Sequence, residues 1–320
     1  MNQNSKHIVV TGGAGFIGSH VVERLLKENY KVSVIDNFDS FYPKTIKEKN
    51  MAGFINNPDV KFFELDILDA EGLATQLVDD YDAIIHLAAK AGVRPSIENP
   101  VQYQNVNVAG TQNMLEFAKK KGIKQFVFAS SSSVYGINKN VPWSESDLQL
   151  FPISPYASTK ISGELLGHVY SHLYGIRFIA LRFFTVFGPR QRPDLAIHAF
   201  SKKILNNEPL NFFGDGSTRR DYTYVADTVE GVFNALHYDQ SNYEIFNLGN
   251  HHVVSLSEML HTIELALDKK AIINQLPEQM GDVSVTYANI DKAAQHLHYA
   301  PSTSFEKGIQ LFTAWLMNNK

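Results

Sequence analysis

Short runs of β-branched and aliphatic residues alternate with stretches of helical spacing through the first half of this chain. Ile8-Val9-Val10 and Val32-Ser33-Val34-Ile35 read as buried strands, joined by Val60 to Leu65, Ala83 to Leu87, Gln125 to Ala129 and Ile176 to Arg182. Ile17, Val21, Leu25 and Leu26 mark a helix over Phe16 to Asn29, and helical patterns also cover Thr45 to Ile55, Ala70 to Val78, Val101 to Lys120 and Tyr156 to Tyr174. Apolar strands alternating with helices predict a parallel sheet covered on both faces. Past residue 184 the alternation stops. Pro189, Pro193, Pro209 and the turn Gly214-Asp215-Gly216 separate shorter pieces, with helical patterns at Ala196 to Asn206, Val225 to His237, Ser257 to Leu267 and Phe305 to Met317. The expected architecture is a doubly wound parallel sheet over 1–184 with a smaller α+β region over 185–320 packed on the sheet's C-terminal edge. The boundary is approximate, and segments can cross it. There is no internal repeat and no low-complexity linker, so one compact unit is expected.

Composition narrows the classes. The chain has 320 residues, 44% hydrophobic and 19% charged, with a formal net charge of −4 and no cysteine. These values suit a globular protein with a full core, and without long runs of one sign they argue against a general binder of nucleic acid or membrane surfaces. The absence of cysteine excludes disulfides, Cys-ligated zinc, iron–sulfur clusters and thiol catalysis. Met1 to His7 is polar and lacks the basic and apolar regions of a signal peptide, and no apolar stretch approaches a membrane span, so a cytosolic protein is expected. His251-His252 and His296 with His298 lie in polar stretches without a carboxylate cluster, so no metal is expected. His86 is expected to pack at a strand end.

The first chemistry lies between the first strand and the first helix. Gly12, Gly15 and Gly18, with Phe16 and Ile17, form G-x-x-G-x-x-G where a strand turns into a helix. Glycine there permits the tight turn, the approach of backbone to a pyrophosphate and close helix–strand packing, while the helix N-terminus offers free N–H groups to phosphate. Asp36 ends the second strand, placed to accept from adenosine ribose hydroxyls. Asn37 and Phe38 after it are not basic, which favours NAD over NADP. Asp66-Ile67, after the third strand, suits the adenine edge. Asp66 could instead cap the next helix.

A second group lies downstream. Tyr156 and Lys160 form Y-x-x-x-K at a helix start, a spacing that puts both side chains on one face. A nearby ammonium is expected to lower the tyrosine pKa from its ordinary value of about 10 toward one useful for a base. Ser130 to Ser133 follow the fifth strand, where a hydroxyl faces the ligand crevice of such sheets.

At this point the chain resembles an extended short-chain dehydrogenase with a Rossmann-type sheet, and within that group the nucleotide-sugar 4-epimerases. The resemblance runs over nearly the whole length, through TGGAGFIGSH, HLAAKAGVRPSIENP, NVAGT, FASSSSVYG, SPYASTK, RFFTVFGPRQRPDLA, FFGDGSTRRDYTYVAD and PEQMGDVSVTYANIDKA. It implies that Tyr156 exchanges the proton of the sugar 4-hydroxyl, that Ser131 hydrogen-bonds that oxygen, and that Lys160 supports both. It also implies that Leu87, Ala88 and Ala89 line the NAD site and that Asn107 supports it, although a helix-surface amide would be spelled the same way. Related dehydratases carry an Asp-Glu pair before Val-Tyr-Gly, and related decarboxylases a glutamate. Ser132 and Ser133 stand here instead, which favours epimerisation.

For the substrate, the resemblance makes Arg220 the grip on the nucleotide diphosphate, with Arg192 also within reach of phosphate. Thr185 and Gln279 depart from the UDP-glucose epimerase pattern and resemble UDP-glucuronate 4-epimerases. Arg94 could sit near the sugar, and Asp282 joins the substrate set. Thr185 with Ser131 to Ser133 could hold a C6 carboxylate. Epimerases of UDP-glucose or UDP-N-acetylglucosamine, a UDP-uronate decarboxylase and a non-catalytic NAD-sensing protein are the alternatives. The resemblance also implies a homodimer built on the helices Val101 to Lys120 and Tyr156 to Tyr174, with Leu166, Tyr170 and Leu173 contributing apolar surface.

Overall fold

The computed structural model describes residues 5–277 and 283–319, so Gln279 and Asp282 lie outside the described residues. In chain order the strands are β1 (His7–Thr11), β2 (Lys31–Asp36), β3 (Val60–Glu64), β4 (Ala83–His86), β5 (Gln125–Ser131), β6 (Arg177–Phe183), β7 (Thr185–Phe187), β8 (Pro209–Phe213), β9 (Arg219–Tyr224), β10 (Tyr243–Leu248), β11 (Val253–Ser255) and β12 (Ile272–Leu276). The helices are α1 (Phe16–Lys27), α2 (Lys44–Met51), α3 (Ala70–Gln76), α4 (Val93–Glu98), α5 (Pro100–Tyr103), α6 (Gly110–Lys121), α7 (Pro155–Tyr174), α8 (Ala196–Leu205), α9 (Val225–Leu236), α10 (Leu256–Leu267), α11 (Asp291–Leu297) and α12 (Phe305–Asn318).

A seven-stranded sheet runs β10-β6-β5-β4-β1-β2-β3, with every neighbouring pair parallel. The order reverses between β1 and β4, which opens a crevice beyond their C-terminal ends. Val21, Val22 and Leu25 of α1 and Val229 and Val232 of α9 bury one face of the sheet. Met114 and Leu115 of α6 and Tyr170 of α7 bury the other. Strands covered on both sides need apolar centres, which Ile8, Val9 and Val10 of β1, Val32, Val34 and Ile35 of β2 and Ala83, Ile84 and Ile85 of β4 supply.

Two glycines set the height of α7 above the sheet. A Cβ on Gly163 would lie 2.4 Å from the Phe128 ring, and one on Gly167 2.2 Å from the Phe178 ring. The helix therefore rides directly on β5 and β6, and its first turns are carried to the ends of those strands. The helix expected over Val101 to Lys120 is instead α5, a π-helical turn at Gln104–Ala109 and α6.

Segments beyond residue 184 return to the large sheet: β10 pairs with β6, and α9 and α11 share its core. The remainder forms two small sheets, β11-β9-β7 and β12-β8, which share a core with α8, α10 and α12 around Phe187, Phe212, Met259 and Phe312. On the outer side of α7, Leu173 is exposed as expected. Tyr170 is instead buried and bonded to Glu116, and Leu166 packs against the core, because both turn toward α6 and the sheet. The exposed apolar positions of this helix are Leu165, Val169, Leu173 and Tyr174. Among the described residues no helix is long and apolar enough to cross a membrane.

Candidate active site

The glycine loop is a meeting of three backbones. Gly12 adopts φ +71°, and a Cβ there would fall 2.8 Å from the Ala88 backbone nitrogen. A Cβ on Gly18 would fall 2.1 Å from the Gly12 carbonyl oxygen. Helix α1 starts at a Gly15 N-cap with no side chain to accept from its first amides, so those donors are left for a ligand. The loop opens onto a cavity of about 230 Å³, whose wall holds Gly12, Gly15, Phe16, Ile17 and Gly18. A pyrophosphate suits this cradle in space, in donors and in dipole.

The end of the cavity proposed for adenosine is built by β2 and β3. Asp36 is buried, with one carboxylate oxygen accepting from the Ala14 N–H at 3.2 Å and the other from the Phe38 N–H at 2.9 Å. Asn37 donates to Asp66 at 2.8 Å, and Asp66 and Ile67 stand in the cavity wall. Asp69, not Asp66, caps α3, accepting from the Gly72 N–H at 2.8 Å. Leu87, Ala88 and Ala89 form the wall beyond β4. His86 is buried between the hydroxyls of Thr11 (2.7 Å) and Thr111 (3.1 Å), and burial lowers it to about 3, so it packs as a neutral ring.

Tyr156 and Lys160 enter the cavity from the first turns of α7. Ser154 caps this helix, accepting from the Ala157 N–H at 3.1 Å, and Pro155 opens it. Lys160 donates to the Ala129 carbonyl at 2.7 Å and lies 5.8 Å from the Tyr156 ring centre. Burial lowers Lys160 to about 8, against the raising effect of Glu164. The tyrosine departs from expectation. Burial raises it, while the Ser131 hydroxyl and the Arg192 charge pull it back. Lys160 does not lower it, because desolvation dominates and the ammonium is turned to Ala129. Ser131 also accepts from the Ser133 hydroxyl at 2.9 Å. Asn107 is buried within the π-helical turn and does not line the cavity. It donates to Thr159 (3.0 Å) and the Lys90 carbonyl (2.9 Å), tying α7 to the loop after β4.

Beneath Lys160 lies a buried ion pair. Arg182 donates to both oxygens of Glu164, at 2.9 and 2.8 Å, and Ser130 donates to the same carboxylate at 2.5 Å.

The proposed substrate residues are spread along the same edge. Arg192 stands in the cavity wall, 5.2 Å from the Phe41 ring centre, and clasps Asp194. Thr185 opens β7 in register with Tyr222 of β9, two positions from Arg220. Arg220 is half-buried and donates to the Arg219 carbonyl at 2.8 Å, and Arg94 is exposed on α4, 6.0 Å from the Phe213 ring centre. Ser131, Ser132, Ser133, Thr185, Arg94 and Arg220 do not line the glycine-loop cavity itself. The sequence reading missed Asp39, Phe41, Tyr42, Lys47, Lys90 and Val106, which do, as does Ser130 of the serine run. Lys90 stood within the HLAAKAGV stretch. Lys47 carried no signal, since its helix reads as polar and exposed.

Residues 8–249 match the model of the NAD dependent epimerase/dehydratase family. The chain belongs to this family. Among its relatives, the UDP-glucuronate 4-epimerase of Thermodesulfobacterium geofontis is 40% identical over 317 residues, covering 98% of this chain and 97% of that protein. The crystal structure of UDP-glucuronic acid 4-epimerase from Bacillus cereus, in complex with UDP-glucuronic acid and NAD, is similar with a TM-score of 0.92 and 38% identity, covering 98% of this chain and all of that one (100%). UDP-glucose 4-epimerase from Thermotoga maritima, solved with UDP-glucose, is similar with a TM-score of 0.90 and 32% identity, covering 98% and 99% of the two chains.

Proposed function

We propose that this member of the epimerase/dehydratase family is an NAD-dependent UDP-sugar 4-epimerase and that its substrate is UDP-glucuronate. The observation that carries the reading is Tyr156 and Lys160 together in the wall of the glycine-loop cavity, with the Ser131 hydroxyl on the Tyr156 phenol and hydroxyls rather than carboxylates at Ser132 and Ser133. NAD, when bound, supplies a reversible hydride acceptor for C4 of the sugar. Gly12, Gly15, Phe16, Ile17 and Gly18 hold its pyrophosphate; Asp36, Asn37, Asp66 and Ile67 hold its adenosine; Leu87, Ala88 and Ala89 wall the site.

Tyr156 is the proton carrier. Its phenol is raised by burial, so it rests protonated, and removing the proton requires positive charge nearby. Arg192 supplies such a charge, and Lys160, lowered only to about 8, is itself charged at neutral pH. Tyr156 takes the 4-hydroxyl proton as the C4 ketone forms and returns it after the sugar has turned its other face. Ser131, already in contact with the phenol, holds the reacting oxygen through both steps. A proton carrier with one hydroxyl partner suffices for this exchange, whereas elimination of water needs a separate acid and base.

Arg192 and Arg220 grip the diphosphate, and Arg94, Gln279 and Asp282 belong to the sugar side. Thr185 with Ser132 and Ser133 holds the C6 carboxylate by hydrogen bonds. A 4-keto-uronate is a β-keto acid, and a carboxylate fixed in this way is kept out of the geometry for loss of CO2. A homodimer through the apolar stripe Leu165, Val169 and Leu173, and a cytosolic location, belong to the same proposal.

The test is incubation of the purified chain with UDP-glucuronate, following C4 configuration by NMR. UDP-galacturonate should appear, and Tyr156→Phe should slow its appearance by at least about 100-fold while the fold persists. If only UDP-glucose or UDP-N-acetylglucosamine is inverted, the reading of Thr185 fails and the epimerase reading stands. If all three sugars stay unchanged with NAD added, the epimerase reading fails.

A further inference from the structure

Helix α2 buries unusual residues for its length. It reads Lys44-Thr45-Ile46-Lys47-Glu48-Lys49-Asn50-Met51, and its buried positions are Lys47, Asn50 and Met51. Residues three and four apart share a helix face. Here that inner face presents a cation and an amide, and lysine is almost never buried unless paired. Both polar groups are spent on the cofactor cradle. Asn50 donates to the Ala14 carbonyl in the glycine loop at 3.0 Å. The Lys47 ammonium lies 3.5 Å from an Asp36 carboxylate oxygen, with 7% and 6% of the two side chains exposed. It also stands 5.0 Å from the Tyr42 ring centre, and Lys47, Tyr42 and Asp36 share one cavity wall.

We propose that Lys47, together with Asp36, determines which dinucleotide this site accepts; the inference rests on the NAD reading above. Asp36 is held at one oxygen by the Ala14 N–H and at the other by the Phe38 N–H and Lys47. Lys47 balances the buried negative charge and fixes the carboxylate toward the ribose hydroxyls. The same ammonium is a phosphate ligand that Asp36 masks. With the carboxylate removed, a buried cation remains at the ribose edge, and a 2′-phosphate supplies the charge it lost. A purely structural lysine predicts no such dependence, since it would stabilise α2 whichever dinucleotide is bound.

The test uses the full chain stripped of nucleotide, with NAD and NADP affinities measured by titration calorimetry for the wild type, Lys47→Met, Lys47→Arg, Asp36→Ser and the double variant Asp36→Ser/Lys47→Met. Lys47→Met should weaken NAD by about 10-fold or more, and Lys47→Arg should restore most of it. Asp36→Ser should gain NADP affinity over the wild type by about 10-fold or more, and the double variant should lose that gain. Equal NADP affinity in Asp36→Ser and in the double variant would overturn the proposal. So would unchanged NAD affinity in Lys47→Met. Should circular dichroism find Lys47→Met unfolded, the comparison of Asp36→Ser with the double variant decides. A wild type that binds neither dinucleotide overturns the NAD reading and this proposal together, whereas a wild type that binds NAD while Lys47→Met matches it overturns the proposal alone.

Discussion

Replacing Lys160 with methionine should make the nucleotide-free protein more stable at neutral pH while abolishing turnover. Burial lowers this ammonium from 10.5 to about 8. At 1.36 kcal/mol per pH unit, that difference corresponds to about 3 kcal/mol for keeping the charged group inside the folded chain at pH 7. Methionine preserves the apolar stem against Phe128 but removes the donor that the Ala129 carbonyl now meets at 2.7 Å. Losing that hydrogen bond costs about 1 kcal/mol, so the expected net gain is about 2 kcal/mol. The pH dependence has a defined sign. Below pH 8 folded and unfolded lysine are both charged, and the penalty is full. Between about 8 and 10.5 the folded lysine gives up its proton first and the penalty fades, so the wild type gains on the variant as pH rises. Urea unfolding at pH 7 and pH 10, followed by circular dichroism on nucleotide-free protein, reads both effects. A variant no more stable than the wild type at pH 7, or a margin that does not shrink by pH 10, would refute the assignment of Lys160 as a charged group held against its desolvation.

Glu164→Gln breaks the two-pronged pairing with buried Arg182 and should destabilise the protein by about 3 kcal/mol or more in urea unfolding, with Glu164→Gln/Arg182→Met recovering much of the loss. Gly18→Ala forces a Cβ to within 2.1 Å of the Gly12 carbonyl oxygen, so the loop must open, and NAD affinity by titration calorimetry should fall by about 10-fold or more. Leu165→Glu combined with Leu173→Glu places charge on an exposed apolar stripe, and sedimentation should find a dimer for the wild type and monomers for the variant.

The first half of the fold was legible because parallel strands buried on both faces must be apolar and their helices must carry a stripe. β1 through β6 and α1, α3, α7 and α9 appear close to their expected bounds. β10 was not legible. It reads Tyr-Glu-Ile-Phe-Asn-Leu, and its two polar residues break the apolar run. The structure resolves the conflict by burying Asn247 as a connector that accepts from the Tyr135 hydroxyl at 2.7 Å and donates to the carbonyls of Trp143 (2.9 Å) and Asn289 (3.1 Å). β9 was hidden in the same way, since Arg219-Arg220-Asp221 carries the charge of a loop while Asp221 is wholly buried. In the site, glycine spacing and Y-x-x-x-K were visible because they are local. The break in the long helix at Asn107 was not, because a π-helical turn adds a residue to the helix without changing its composition. The lowering of Tyr156 expected from Lys160 failed for a different reason. Spacing along a helix gives proximity, but the carbonyl of Ala129, contributed by β5, decides where the ammonium points.

These connectors make the two halves of the chain one site. Arg182, which holds Glu164 beneath Lys160, lies over the Tyr135 ring at 4.8 Å, and Tyr135 leads through Asn247 to the segment at Asn289. On the substrate side, Asp221 neighbours Arg220 and accepts from the Asn250 N–H at 2.6 Å and the Ala288 N–H at 3.2 Å. Burial raises this carboxyl to about 6, and those backbone donors work against the rise. Lys160, proposed to serve the proton carrier, and Arg220, proposed to grip the diphosphate, are therefore both tied to the stretch 286–291, one through β10 and the other through β9. A cut at residue 184 would remove β10 from the edge of β6 and leave Tyr135 without its acceptor, so the large sheet cannot take its finished form until the later part of the chain has been added. Cooperative unfolding across both parts follows from that connectivity, and so does the sensitivity of Lys160 to substitutions far from it in sequence.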